Sequence, residues 1–285
     1  LKTLICSNTF LTELDVSKNI NLEELYCVND SLTSLDVTSN IKLKSLYCNH
    51  NRLTSLDVST NVELTLLDCS LNRLSNLDIS KSIKLEKIAC DNNLLTSLDV
   101  SKNIELTLLY CYNNIITSLD LTNNVKLTEL ICSQIELNKL DLSNNIELTY
   151  LKCNYNRVSK LDMSKNIKLT FLDCSINGIS NLEISKNINL EKLDCSSNPI
   201  SNLDISKNIK LKLLSCAING LTNLDVSKNI ELRDLYCSYN QLSELDISPL
   251  LNLVSLRCCN QAEDFTLFLT IATLYLKKKT AIFVK

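Results

Sequence analysis

Apolar and polar positions recur with a period of 21 residues along almost the whole chain. From Leu43 to Glu63 the apolar places are Leu43, Leu46, Cys48, Leu53, Leu56, Val58 and Val62. Shifted by 21 they are Leu64, Leu67, Cys69, Leu74, Leu77, Ile79 and Ile83. Within Leu46-Tyr47-Cys48 the alternation has period two, which sends Leu46 and Cys48 inward and Tyr47 outward, as in a short strand. Leu56-Asp57-Val58 repeats the device. A fixed period in this range marks a stacked coil whose turns cannot bury their apolar faces alone. Two strands per turn, in register, predict two parallel sheets on opposite walls, with six or seven buried apolar side chains per turn and little helix.

Thirteen of the fourteen cysteines stand at the 21-residue interval, from Cys6 to Cys258. An asparagine follows three residues later in nine turns (Asn51, Asn72, Asn93, Asn114, Asn156, Asn177, Asn198, Asn219 and Asn240), with Thr9, Asp30, Ile135 and Gln261 as departures. Its amide is expected to bond backbone groups of the loops above and below, which burial would otherwise leave unpaired.

The order Leu-x-x-Leu-x-Cys-x-x-Asn-x-Leu resembles the conserved half of a leucine-rich repeat. The second half, Leu-Asp-Val/Ile-Ser-x-Asn, resembles that of a bacterial 21-residue class. The resemblance spans residues 1–260. It implies a mostly β fold: a right-handed parallel solenoid of about 13–14 turns, with one short strand per turn on the concave face and a second extended segment or strand opposite. Residues 261–285 read as a degenerate last repeat and C-terminal cap of the same domain. Ile271 to Leu276 restores the strand spacing with Leu276 in the cysteine slot, Lys277 to Lys279 form a charged stop, and Ala281 to Val284 a last edge strand. A capping helix begun by Glu263 and Asp264 is the competing reading.

Composition narrows the function classes. A net charge of -3 and a pI near 5.4 give no sequence-independent attraction to nucleic acid or anionic lipid. The longest nearly apolar run, Phe265 to Leu276, is too short to span a bilayer. Neither a nucleic-acid partner nor membrane insertion is expected. Two glycines and two prolines leave the corners to Asn, Ser and Asp. Gly178, Gly220 and Pro199 follow the ladder asparagine and mark that place as a tight bend. The chain begins in mid-pattern without Met, so upstream sequence is expected.

Inward cysteines in a row offer no tetrahedral metal cage, and in-register parallel strands hold neighbours badly for the disulfide torsion. They read as small core hydrophobes, and Cys259, facing out, as the reactive thiol. His50 is the sole histidine, in a loop, with no carboxylate or nucleophile fixed beside it, and no phosphate loop or nucleophile elbow occurs. An enzyme is not expected, nor a cofactor or metal. Asp15, Asp36, Asp57, Asp78 and their successors form an outward column whose repulsion is offset if each accepts bonds from its own turn; calcium is the sharper alternative. Thr12, Thr33, Thr54 and Ser75 begin a hydroxyl column that suits a tight corner or, alternatively, a polysaccharide. Along another edge Lys42, Glu63, Lys84, Glu105 and Lys126 alternate in sign, so that each charge neighbours its opposite.

All nine tyrosines map to the strand wall or its rim, and none to the opposite wall. Tyr26, Tyr47, Tyr110, Tyr236 and Tyr275 precede the cysteine slot, Tyr150 and Phe171 lie two places earlier, and Tyr112, Tyr155 and Tyr239 lie just beyond. Asp68, Asp91, Asp173 and Asp194 stand between the tyrosine groups. Tyrosine supplies large contact area at low entropic cost with a polar tip. These twelve positions (Tyr26, Tyr47, Asp68, Asp91, Tyr110, Tyr112, Tyr150, Phe171, Asp173, Asp194, Tyr236 and Tyr239) form the candidate partner-binding face. The family resemblance implies protein binding through that wall. A non-catalytic recognition or adhesion module is the favoured reading. A structural or glycan-binding spacer attached to another domain is the alternative. The resemblance also implies an exported or cell-surface protein, whereas unpaired thiols by themselves suit a cytoplasmic one.

Overall fold

Leucine and cysteine at fixed intervals place one three-residue strand in every turn. The structure, a computed structural model, describes residues 1–261, 266–268 and 281–283. The chain forms two compact units, Leu1–Glu147 and Leu148–Lys285. In the first, β1 (Thr3–Ile5), β2 (Glu24–Tyr26), β3 (Ser45–Tyr47), β4 (Leu66–Asp68), β5 (Lys87–Ala89), β6 (Leu108–Tyr110) and β7 (Glu129–Ile131) pair in sequence order, all parallel. Each residue pairs with the one 21 places on, as in Leu25 with Leu46 and Leu46 with Leu67. The middle residue of β2 to β7 is buried and its neighbours are half-exposed in most cases, the pattern the alternation predicts.

The second unit repeats this plan with β8 (Tyr150–Lys152), β9 (Phe171–Asp173), β10 (Lys192–Asp194), β11 (Leu213–Ser215), β12 (Asp234–Tyr236) and β14 (Ser255–Arg257). The strand laid on β14 is β16 (Ala281–Phe283), which takes the place that spacing assigned to Leu274 to Leu276. The shortened turn at Ile271 to Leu276, with Tyr275, lies outside the described residues, as do Lys277 to Lys279, Val284 and the competing helix start at Glu263 and Asp264. No helix occurs among the described residues.

The second wall differs from the expected sheet. Among the described residues only β13 (Glu244–Asp246) and β15 (Thr266–Phe268) pair as strands there. In the other turns the extended Leu-Asp-Val segment spends its bonds locally. Asp57 accepts from the Ser59 N–H at 2.9 Å, Asn61 N–H donates to Val58 O at 3.0 Å, and Leu64 N–H donates to Asn61 O at 3.1 Å. Between turns the link is a side chain: Asn61 Nδ2 donates to Val37 O and Asn40 O at 3.0 and 2.9 Å. From Asn40 to Asn229 this second ladder, with Ser82 in one rung, is buried. The core correspondingly holds Leu43, Leu46, Cys48, Leu53, Leu56 and Val58, all buried, whereas Val62 is 44% exposed and Ile83 55%. That seventh apolar column faces out, because the buried Asn61 beside it takes the inward position.

The tight bend lies two residues after each cysteine, not at the glycines. All thirteen residues there, from Asn8 to Asn260, have φ between 52° and 60°, while neither Gly178 nor Gly220 has positive φ. Asn suits this left-handed region; Ile176 and Ile218, branched at Cβ, do not. Ile218 is 55% exposed, so little packing is lost by changing it. Ile218→Asn is expected to stabilise the chain by about 1 kcal/mol, read as a higher urea midpoint at unchanged slope. A lower midpoint would show that the isoleucine's contacts outweigh its strain.

Candidate recognition face

The outward side chains of each strand, with the residue after the cysteine, form the candidate face in both units. In the first, register stacking of β2 on β3 brings Tyr26 and Tyr47 into parallel contact, centroids 4.6 Å apart and planes 10° from each other. Next comes Asp68, whose Oδ1 accepts from the Ser70 N–H and hydroxyl at 3.1 and 2.7 Å. Asp91, only 5% exposed, accepts from Asn92 Nδ2 at 2.7 Å, and Tyr112 stands 21 residues on, in the next turn. Burial raises the Asp91 pKa above its ordinary value although Asn92 and Tyr112 act to lower it, and Asp68 adds repulsion. Tyr112 is raised in turn, by burial and by Asp91. The Tyr110 hydroxyl donates to Glu129 on β7.

The second unit carries a similar group. Tyr150 and Phe171 stack at 4.2 Å and 12°, and Lys152 Nζ stands 5.9 and 5.5 Å from the two ring centroids. Asp173 and Asp194 are register partners, so their carboxyls lie side by side. Each accepts from the serine two residues on, Ser175 and Ser196. Burial pushes Asp173 up, and Asp194 adds to it. Arg257 lies 5.2 Å from the Tyr236 centroid. Tyr239 sits in the left-handed bend, 58% exposed, and so belongs to the rim.

Thus the structure brings together Tyr26 with Tyr47, then Asp68, Asp91 and Tyr112 with Tyr110 nearby, and separately Tyr150, Phe171, Asp173 and Asp194. Sequence reading missed Glu129 as the partner of Tyr110. It also missed half-exposed Leu66 and Leu108, which add apolar area between the aromatics. The 21-residue register that found the tyrosines would have found these too.

Other columns are held within their own surfaces. Asp57 is drawn down by the hydroxyl and N–H of Ser59, and the same pairing recurs along the column. Glu23, between Lys2 and Lys44 at 2.7 Å each, is drawn down to about 2. Lys84 pairs with Glu63 and Lys126 with Glu105 along the alternating edge. Among the described residues no group of three or more His, Cys, Asp and Glu is placed to hold a metal ion. No helix among them is long and apolar enough to cross a membrane.

No family model and no curated protein matches the chain. Solved structures do. The functional domain of InlJ from Listeria monocytogenes, described as including a cysteine ladder, is 36% identical with a TM-score of 0.77; the match covers 92% of this chain and 68% of that one. An internalin, InlF, from the same species matches at TM-score 0.86 and 20% identity, over 99% of this chain and 86% of that one. The plant peptide hormone receptor RGFR1 in complex with RGF2 matches at TM-score 0.74 and 20% identity, over 89% of this chain and 52% of that one. The last two likenesses speak to the fold alone. The solenoid of short parallel strands, the cysteine column and the identity to InlJ agree: this chain belongs to the bacterial leucine-rich repeat family that includes InlJ.

Proposed function

We propose that the chain is a non-catalytic recognition module that captures a protein partner on the strand face, at the cell surface or outside the cell. One observation carries the reading. Among the described residues the tyrosines lie on the strand wall and its rim instead of filling the core, and there Tyr26 stacks on Tyr47 and Tyr150 on Phe171, all four half-exposed. Stacked rings are pre-organised, so little entropy is lost when a partner covers them. The peptide receptor of the same fold supports a polypeptide ligand, and the likeness to InlJ supports a bacterial surface setting. Buried thiols are compatible with an oxidising medium because reagents do not reach them.

The test uses peptides selected on the wild-type chain from a random displayed library. Tyr26→Ala/Tyr47→Ala is expected to weaken the selected peptides by about 100-fold, since paired aromatic anchors each contribute on the order of 1–2 kcal/mol. The melting temperature should change little, because both rings are half-exposed. Undiminished binding would favour the spacer reading, in which hydroxyl-lined hollows such as that bounded by Thr54, Asp57, Ser75 and Asp78 meet a glycan.

A further inference from the structure

The outward-facing apolar column is not used by the strand face. In the first unit Ile20, Ile41, Val62, Ile83, Ile104, Val125 and Ile146 stand one per turn, each 44–58% exposed. Turns are held in register on this side by the second asparagine ladder, as in Asn61 to Asn40 and Asn124 to Asn103. The column is therefore an in-register apolar stripe, one side chain per turn, with a rise on the order of 5 Å per turn. At half exposure these side chains leave on the order of 500 Å² of apolar surface in one line, the size of the largest patch on an ordinary monomer. With its two flanking columns the face approaches the ~800 Å² per partner of a standard interface.

The flanks say what fits it. One side runs Asn21, Lys42, Glu63, Lys84, Glu105, Lys126, Glu147; the other runs Lys18, Ser39, Thr60, Lys81, Lys102, Asn123, Asn144. The first flank alternates in sign, and a partner with the same spacing and the same alternation is a second copy of the chain. We propose that two copies pack stripe to stripe, antiparallel, about a two-fold axis passing between Val62 and Ile83. This axis sets Val62 opposite Ile83 of the second copy, Ile41 opposite its Ile104 and Ile20 opposite its Val125. It places Lys42 opposite Glu105 of the second copy and Glu63 opposite its Lys84, while Lys18, Lys81 and Lys102 meet Asn123, Thr60 and Ser39. Moving the axis by half a turn sets Lys42 against Lys84 or Lys126. Moving it by a whole turn sets Lys81 against Lys18 or Lys102. Axes between Ile104 and Val125 or between Val125 and Ile146 also bring opposite charges together without setting like charges against each other, but over four turns and two. The stated register does so over six turns of the unit, and that longer overlap selects it.

Sedimentation equilibrium of the 285-residue chain tests this. The wild type is expected to be a concentration-dependent dimer. Lys42→Glu and Glu105→Lys singly should each weaken dimerisation at least tenfold, about 1.4 kcal/mol. The double variant should return to near the wild-type value. Within one copy Lys42 and Glu105 are three turns apart, and Glu105→Lys breaks the pair with Lys126, so recovery in the double variant reports the contact between copies. Ile83→Asn should abolish the dimer with an unchanged melting curve. A monomer at about 200 µM, far above ordinary dimer dissociation constants, would overturn the proposal. So would a double variant as weak as the singles combined. Flotation of the wild type, but not Ile83→Asn, with neutral phosphatidylcholine vesicles in the absence of self-association would assign the stripe to lipid instead.

Discussion

Asn72→Ala is expected to cost about 3 kcal/mol of unfolding free energy, seen as a lower urea midpoint. The amide joins two turns at four points. Its Oδ1 accepts from Leu53 N–H at 2.9 Å, and its Nδ2 donates to Cys48 O, Cys69 O and Ser70 O at 3.0 to 3.1 Å. Alanine leaves Leu53 N–H without a partner in a buried loop, at roughly 1–3 kcal/mol. It also takes one of two donors from each carbonyl, which keep Asn51, Asn93 and His50 N–H respectively, at about 0.5–1 kcal/mol each. Stacked turns stabilise their neighbours, so the loss propagates to both sides of the lesion. Asn72→Asp should do no better, because a carboxylate accepts but cannot donate to Cys48 O and Cys69 O. Unchanged melting of either variant would mean that the ladder does not hold the loops.

The chain's own departures show what the amide does. Asp30 works in the ladder slot because the loop facing it offers donors to its Oδ1: Thr9 N–H at 2.7 Å, the Thr9 hydroxyl at 3.0 Å and Leu11 N–H at 3.3 Å. Thr9 and Ile135 bring no amide to the slot. The residues that follow them, Phe10 and Glu136, have φ of 59° and 62°, the two positive values among the described non-glycine residues outside the regular bend column. Where the amide is missing, the loop closes through a second left-handed residue instead.

Much of this was legible because a 21-residue register multiplies each local signal. One Leu-Tyr-Cys triplet is weak evidence for a strand; the same triplet pattern in turn after turn settles which side chains face in. Val62 was misplaced since apolarity alone does not say inside or outside where a turn intervenes, and the inward place beside it belongs to Asn61. The expected second sheet failed for a related reason. Leu-Asp-Val alternates like a strand, yet the Asp takes the Ser N–H of its own turn and the links between turns pass to a buried amide. At the candidate site, counting from the cysteines located the aromatic face and both stacked pairs follow from register. The burial of Asp91 did not, because a residue just past a strand can turn either way, and here Asn92 holds the inward carboxyl.

Alkylation should divide the thiols sharply. Iodoacetamide at pH 8 is expected to modify the native chain readily at Cys6 and Cys259, which are half-exposed, and to leave the twelve ladder cysteines from Cys27 to Cys258 intact. Those twelve are at most 1% exposed. Burial also pushes the thiols up: Cys27 and Cys111 to about 12, Cys258 to about 11, and Cys48, Cys69 and Cys90 well above their ordinary value. The thiolate is the nucleophile, and a thiol raised to about 12 holds roughly a thousandfold less of it at pH 8 than an ordinary one, before steric exclusion is counted. In denaturant all fourteen should react together. The raised thiols also fix a pH dependence. A thiol whose folded pKa is raised contributes its full stability below the unfolded value near 9 and loses it as the pH rises towards 12, so the urea midpoint should fall steadily above pH 9. Rapid modification of most ladder cysteines in the folded chain, or a midpoint level from pH 8 to 11, would show that the column is open to solvent.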